Sequence, residues 1–230
     1  MASHATDPRW SKVLSLTGHE IRNPLGVVVG YIRMVLSERS GPLAPFQRRA
    51  LEESMNSCGR LKEIVDQLGA LRDLEDGLTK LQNIRIECGT LLEEAVEAVP
   101  ELTDRAVGIE LDRGSEDVAV SGDPTRLPHA LASIIFAIRR EVVTSDRVVV
   151  RPRLTSHDGS QSLWVAIAPP EQIDQLASAE VEALTTFDEW RGGIGLTLPI
   201  ARRVINLHGG TVWSPVENPR AGAALRLPVV

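Results

Sequence analysis

The sequence has few aromatic residues, only two cysteines and no long apolar run. Aromatic residues make up 3% of the chain, so its core must be built mainly from leucine, valine, isoleucine and alanine. Cys58 and Cys88 lack the spacing of metal ligands, and no secretory signal precedes them, so we expect neither a metal site nor a disulfide framework. No apolar run approaches the roughly 18 residues that a membrane-spanning helix needs. We therefore expect a cytoplasmic protein without a membrane partner.

The charge balance gives no reason to expect nucleic acid as a partner. The formal net charge is -6 at pH 7, and the arginines are scattered along the chain instead of forming a basic run. The length of 230 residues is enough for one or two domains with a sizeable core.

Two long helices are predicted for the first third of the chain. Apolar residues recur at helical spacing over residues 9–38 and again over 46–75. In the second stretch Leu51, Cys58 and Val65 repeat every seven residues, which is typical of a seam that packs against an antiparallel helix. One hairpin buries little surface, so we expect a homodimer in which two hairpins form a four-helix bundle. An intramolecular bundle is the alternative, but no further long heptad helices follow.

Short strands and helices are predicted to alternate in the rest of the chain. Mixed strands with helices on one face indicate an α/β sandwich, which makes the fold class α+β. Asp123 is expected to cap the helix that follows it. The predicted strands are 84–86, 107–111, 118–120, 148–154, 163–167, 211–215 and 223–227, and the predicted helices are 89–103, 127–141 and 195–207, with a short one near Glu180.

The stretch Thr17-Gly18-His19-Glu20-Ile21-Arg22-Asn23-Pro24-Leu25 has the strongest chemical signal. On a helix, His19, Glu20 and Asn23 are near enough to act on one reacting atom. The imidazole of His19 can accept a phosphoryl group, Glu20 can orient the ring or take its proton, and Asn23 can hold a water in line with phosphorus. The alternatives are that Glu20 is a solvated helix residue and that Asn23 only satisfies the backbone beside Pro24.

This nonapeptide closely resembles the H-box of the sensor histidine kinases. A second stretch, 191–204, which continues to Leu207-His208-Gly209-Gly210, is similar to the glycine-rich loop and following helix of the same family. In that loop, glycines let backbone N–H groups approach a phosphate, and the start of the helix favours the negative charge. The resemblance implies that Gly192, Gly193 and Gly195 are the cofactor-binding residues if a nucleotide binds.

The resemblance covers nearly the whole chain and implies its domain organisation. Residues 1–77 would form a dimerisation and histidine phosphotransfer domain, 78–81 a linker, and 82–230 an ATPase domain of the type shared by the histidine kinases and the GHL ATPases.

Three nucleotide motifs of this family are altered in the second domain. Ser133 and Ala137 stand where the family has asparagines that hold phosphate and Mg²⁺, and alanine cannot ligate a metal. Ala168 follows a strand where the family has an aspartate that accepts from the adenine amino group. Thr197 replaces a glycine of the loop. We therefore expect no cofactor, and ATP with Mg²⁺ only if the protein is an active kinase.

The sequence thus predicts a two-component signalling protein that transfers phosphoryl groups between His19 and the receiver aspartate of a response regulator without binding ATP. It would act as a phosphotransferase or as a receiver phosphatase. The expected partners are a receiver domain, docked near Ile21, Leu25 and Val28, and a second copy of the chain. The alternatives are an active ATP-dependent sensor histidine kinase core with divergent nucleotide motifs and a non-catalytic pseudokinase scaffold.

Overall fold

The protein consists of two compact units. The structure, a computed structural model, describes residues 8–39, 41–103, 105–113, 118–157, 159–191 and 193–230. The first unit ends at Thr79 and the second begins at Lys80. This division falls inside the stretch 78–81 that the sequence analysis assigns to a linker, and the functions assigned to the two parts stay predictions.

The first unit is a hairpin of two long helices, as the sequence predicts. Helix α1 spans Pro8–Leu36 and helix α2 spans Pro45–Glu75. Pro45 occupies the start of α2, where its missing N–H costs nothing, and the N–H of Ala44 donates to Gln47 Oε1 at 3.0 Å. The helices run antiparallel, since the side-chain contacts between them join Ser11 to Asp76, Arg22 to Asp66 and Glu38 to Arg48.

Each helix packs one stripe of residues against the other. In α2, Cys58 and Val65 are buried, as their seven-residue spacing predicts. In α1, the stripe is formed by Gly18, Leu25 and Ile32, again seven residues apart. Leu25 is half-buried in this stripe, and its predicted place on the docking surface for a receiver stays a prediction.

Much apolar surface of the hairpin remains open. An exposed apolar surface of this extent on a helix is typical of a face that packs against another protein chain. The large apolar side chains concerned are Trp10, Val13, Leu16, Ile21, Val27, Val28, Tyr31, Met34, Val35, Phe46, Leu61 and Ile64.

The second unit is built on a mixed six-stranded sheet and a two-stranded ribbon. The strands are β1 (Ile84–Glu87), β2 (Gly108–Leu111), β3 (Ala119–Gly122), β4 (Arg147–His157), β5 (Ser160–Ala168), β6 (Leu184–Thr186), β7 (Thr211–Pro215) and β8 (Ala223–Pro228). The order in the sheet is β2-β4-β5-β8-β7-β6, and β1 and β3 form the ribbon. Strands β2 and β4 pair in parallel, and the remaining pairs are antiparallel.

Among the residues that the structure describes, four helices accompany the sheet. They are α3 (Cys88–Glu97), α4 (Arg126–Glu141), α5 (Pro170–Ala177) and α6 (Thr197–Leu207), with one 3₁₀ turn at Val181–Ala183. Helix α3 ends well before Thr103, where the prediction had it end, because a residue that precedes a proline, here Pro100, is disfavoured in helical conformation.

Both faces of the sheet are covered, by different helices. Along β5, Val165 and Ile167 are buried, and so are the alternate residues Trp164 and Ala166, which point to the opposite face. Trp164 and Ala166 belong to a cluster with the apolar residues of α5. Helices α3, α4 and α6 pack with one another and against the sheet. The prediction of helices on one face alone therefore needs a correction, since α5 covers the other.

A buried aspartate fixes the start of α4, as expected. Asp123 Oδ1 accepts from the N–H groups of Thr125 and Arg126 at 3.1 and 2.9 Å, and Oδ2 accepts from the N–H of Gln82 at 3.1 Å. Its own N–H donates to His208 Nε2 at 2.9 Å. Burial alone would raise the pKa of this carboxyl, but the backbone hydrogen bonds outweigh burial and lower the pKa below its ordinary value.

Replacing Asp123 with alanine should destabilise the second unit by about 2 kcal/mol, because buried N–H groups lose their acceptor. Asp123→Asn keeps an acceptor and should cost less. Because folding lowers the pKa, the stabilisation is present above the ordinary carboxyl pKa of about 4 and is lost as the pH falls through the folded value. Urea unfolding followed by the fluorescence of the buried Trp164 should lose less stability between pH 6 and pH 3 in Asp123→Asn than in wild type. An identical acid dependence in the two proteins would contradict this assignment.

Candidate functional site

His19, Glu20 and Asn23 lie together on the exposed side of α1. His19 Nδ1 is 3.7 Å from Glu20 Oε1 and 3.5 Å from Asn23 Nδ2. The side chains of His19 and Glu20 are 69% and 68% exposed, so a partner molecule can reach the ring. The structure thus brings the three predicted residues together, while their chemical roles stay predictions.

The two neighbours of Nδ1 have opposite effects on the imidazole ring. Glu20 Oε1, at 3.7 Å, is too far from Nδ1 for a hydrogen bond, but a carboxylate beside Nδ1 favours the tautomer that carries its proton there and leaves a free lone pair on Nε2. The amide nitrogen of Asn23 can only donate to Nδ1, which requires the proton to be on Nε2. Only the first arrangement makes Nε2 a nucleophile, so Glu20 supports phosphoryl acceptance at Nε2 and Asn23 supports the unreactive tautomer.

The glycine-rich loop at the start of α6 is tied to the end of α4. Gly192 lies outside the described residues. Gly195 has a φ of 59°, in the left-handed region that glycine adopts readily. A Cβ at Gly193 would lie 3.2 Å from Leu198 Cγ, so this part of the loop packs closely on α6. Arg140 Nη1 donates to the carbonyl oxygen of Gly193 at 3.0 Å, so a cation of the chain itself binds the loop.

Helix α4, which the structure describes in full, lacks the side chains that a magnesium ion needs. Ser133 Oγ donates to the carbonyl of His129 at 2.9 Å, and Ala137 is fully buried. The one carboxylate of the helix, Glu141, lies 3.7 Å from Arg220. Because Mg²⁺ takes oxygen ligands, chiefly carboxylates, in near-octahedral geometry, these residues do not fit it.

The end of β5 likewise lacks an acceptor for an adenine amino group. Ala168 is fully buried and belongs to the apolar cluster beneath α5. The next two carboxylates along the chain have partners of their own, since Glu171 accepts from the hydroxyl of Thr144 at 3.0 Å and Asp174 forms an ion pair with Arg151. The described side chains at the altered nucleotide motifs therefore do not fit a magnesium–nucleotide complex.

Arg191, directly before the glycine-rich loop, is a buried arginine that the sequence analysis did not single out. Its guanidinium lies 4.3 Å from the centre of the Phe187 ring, and Nη1 donates to the carbonyl of Pro219 at 2.5 Å. Burial lowers the pKa of Arg191, although the carboxylates of Glu141 and Asp188 oppose this effect. The only feature of the sequence that could have drawn attention to Arg191 is its position directly before the glycine-rich loop.

The described part of the chain shows neither a cluster of metal ligands nor a membrane-spanning helix. No three His, Cys, Asp or Glu side chains come together there as possible ligands of one metal ion. None of the helices within the described ranges combines the length and the hydropathy needed to cross a membrane. The expected lack of a metal and of a membrane partner stays a prediction.

The sequence is similar to a known domain and to known signalling proteins. The profile of the His Kinase A (phospho-acceptor) domain matches residues 9–77. The chain is 28% identical to the signal transduction histidine-protein kinase BarA of Escherichia coli K12 over 212 residues, which is 88% of this chain and 22% of BarA. It is 26% identical to the sensor protein GacS of Pseudomonas syringae pv. syringae over 235 residues, 95% of this chain and 25% of GacS. The chain thus spans a quarter or less of the length of these curated relatives.

Solved structures share the fold. Full-length ShkA, in a complex with AMPPNP, has a TM-score of 0.65 and 21% identity, covering 95% of this chain and 46% of ShkA. The histidine kinase AdeS of Acinetobacter baumannii has a TM-score of 0.56 and 16% identity, covering 91% of this chain and 97% of AdeS. The phospho-acceptor domain at residues 9–77, these relatives and this fold together support a transmitter core like that of the histidine kinases.

Proposed function

We propose that this chain acts in two-component signalling as a phosphotransfer protein, in which His19 exchanges a phosphoryl group with the aspartate of a response-regulator receiver and ATP is not used. One observation carries the proposal. The phospho-acceptor domain has an exposed His19 with Glu20 and Asn23 at one ring nitrogen, whereas the nucleotide motifs of the second unit lack suitable ligands. The contact of Arg140 with Gly193 also supports it, because that contact closes the loop on α4.

The proposed transfer needs only groups near His19 and a phosphorylated receiver. Nε2 attacks the phosphorus of the aspartyl phosphate, a P–N bond forms, and the P–O bond to the receiver's carboxylate breaks. The imidazole gains positive charge while the Nδ1 proton stays beside Glu20, whose carboxylate stabilises that charge. In the phosphatase mode, Asn23 holds a water in line with the same phosphorus, and water takes the place of Nε2 as nucleophile.

A second candidate is ATP-dependent autophosphorylation of His19. It is favoured by the names of the curated relatives, which are kinases and sensors, and by the nucleotide analogue in the ShkA structure. Against it stands the chemistry of Ala137, Ala168 and Ser133, since phosphoryl transfer from ATP relies on bound Mg²⁺ to neutralise developing charge.

The open apolar surface of α1 suits two partners. Ile21, Val28 and Val35 repeat every seven residues beside the buried stripe, and this pattern suits the second hairpin of a homodimer. Val27 and Met34 lie on the side of the helix that carries Asn23 and His19. This second stripe, in place of the surface at Ile21 and Val28 that the sequence analysis expected, suits the receiver, because a receiver that binds there brings its aspartate near Nε2.

The transfer itself is the direct test. A panel of receiver domains, phosphorylated with acetyl phosphate, should include at least one that labels the chain with an acid-labile phosphoryl group at His19. His19→Gln should abolish labelling, and Glu20→Gln should slow it by about 10²-fold or more, the usual contribution of an acid–base group. His129→Gln, which alters an exposed histidine of the second unit, is the matched control and should transfer normally. Failure to label with every receiver would refute the proposal and leave ATP-dependent autophosphorylation or a scaffold.

Titration with ATP and Mg²⁺ in a calorimeter separates the two candidates. We expect no heat of binding up to millimolar nucleotide, because the positions of Ala137 and Ala168 supply no ligand for the metal or the adenine. ShkA, titrated in the same buffer, provides the positive control. Micromolar binding by this chain would establish the second candidate and remove the claim that ATP is not used.

Substitutions in the two stripes of α1 should separate dimerisation from receiver docking. Val28→Asp puts a charge in the stripe proposed for the homodimer and should yield a monomer in analytical ultracentrifugation. Val27→Asp, the matched change one residue away, should leave the dimer intact and raise the receiver concentration needed for half-maximal transfer. If both variants dissociate, or neither does, the division into two stripes is wrong.

A further inference from the structure

Arg22, one helical turn after His19, reaches across from α1 to α2. Its Nε and Nη2 lie 3.2 and 3.0 Å from Asp66 Oδ1, and Nη2 is also 3.5 Å from the carbonyl oxygen of Val65. Lys62 Nζ donates to the other carboxylate oxygen of Asp66 at 3.2 Å. Two cations on separate oxygens fix the orientation of the carboxylate, and the carboxylate in turn fixes Arg22.

Two glycines leave room for this guanidinium. A Cβ at Gly18 would lie 3.8 Å from Arg22 Nη1, and a Cβ at Gly69 would lie 3.6 Å from Nη2. Gly26 and Gly30, further along α1, have nothing within 4 Å of such a Cβ. The guanidinium therefore lies close to the backbone of both helices, at Gly18 of α1 and Gly69 of α2.

The ion pair is too exposed to be explained by stability alone. The side chains of Arg22 and Asp66 are 45% and 47% exposed, and pairs of that kind contribute little to folding. The hydrogen bond from Arg22 is the main reason why the pKa of Asp66 lies below its ordinary value, with Lys62 second. What distinguishes the pair is its location, in the turn of α1 that carries His19.

From this geometry we propose that Arg22 is a positioning residue for His19, which it serves by fixing the turn of α1 around Gly18 against Asp66 of α2. The inference rests on the proposed function of His19 and adds a residue to it. Gly18 directly precedes His19 and has no side chain with which to hold its backbone. Without Arg22 the turn gains freedom, and the placing of the His19 ring between Glu20 and Asn23 becomes less defined.

The test compares Arg22→Gln, Asp66→Asn and the double variant in the full chain. The receiver that labels wild type fastest serves as phosphoryl donor, and the nitrogen-15 shifts of the His19 ring report its tautomer. Each single variant should slow transfer at saturating receiver by about tenfold, as expected for a displaced reacting group, with the half-saturating concentration unchanged. The double variant should be no slower than either single one, since both remove the same contact. The ring shifts of His19 should move in all three.

Arg48→Gln is the matched control, because it breaks a similarly exposed ion pair with Glu38 at the other end of the same hairpin. Lys62→Gln removes the second cation from Asp66 but leaves Arg22. Both should stay within twofold of wild type, at a temperature where circular dichroism gives every variant full helicity. Additive losses, an equal loss in Arg48→Gln, or unchanged His19 shifts in Arg22→Gln would overturn the inference. If wild type accepts no phosphoryl group, the proposed function fails, and the ring shifts still decide whether Arg22 positions His19.

Discussion

A pair of helices can bury only one stripe of each helix, and the first unit is organised around that constraint. The stripe formed by Gly18, Leu25 and Ile32 faces α2, and the opposite side of α1 faces outward. His19 is on that outward side, within reach of another protein. Exposure is a requirement for a residue that exchanges a group with a second macromolecule, and the same geometry leaves apolar surface that further chains are needed to cover.

In the second unit, by contrast with the exposed face of α1, polar groups near the altered nucleotide motifs form hydrogen bonds within the unit. Asp123 accepts from three backbone N–H groups, Ser133 bonds within its own helix, and Arg140 binds the carbonyl of Gly193. Helix α5 covers the sheet face to which Ala168 belongs. The result is a well-packed sandwich in which these side chains already have partners within the unit. Transfer at His19 supplied by a receiver is consistent with such a division of roles.

Local patterns in the sequence were enough to predict the two long helices, the α/β sandwich and the cap at Asp123. Heptad spacing around Cys58 and alternation in the strands depend on near neighbours only, which is why they can be recognised without a structure. The sequence analysis did not predict α5, because Ile173, Leu176 and Ala177 are separated by polar residues of the kind that is typical of a connecting loop. The pairs Arg22–Asp66 and Arg140–Gly193 join residues 44 and 53 positions apart, and nothing in the sequence marks them as neighbours. Asn23 could be placed beside His19 from helix geometry, but the competition for Nδ1 required the coordinates.

The hydrogen bond from Gln82 to Asp123 connects the first residues of the second unit to two of its helices. Gln82 belongs to the first few residues of the second unit, and the same carboxylate holds the start of α4, while the N–H of Asp123 engages His208 at the end of α6. A force applied to the connecting segment would therefore act on two helices of the sandwich at the same time, through the hydrogen bonds of Asp123.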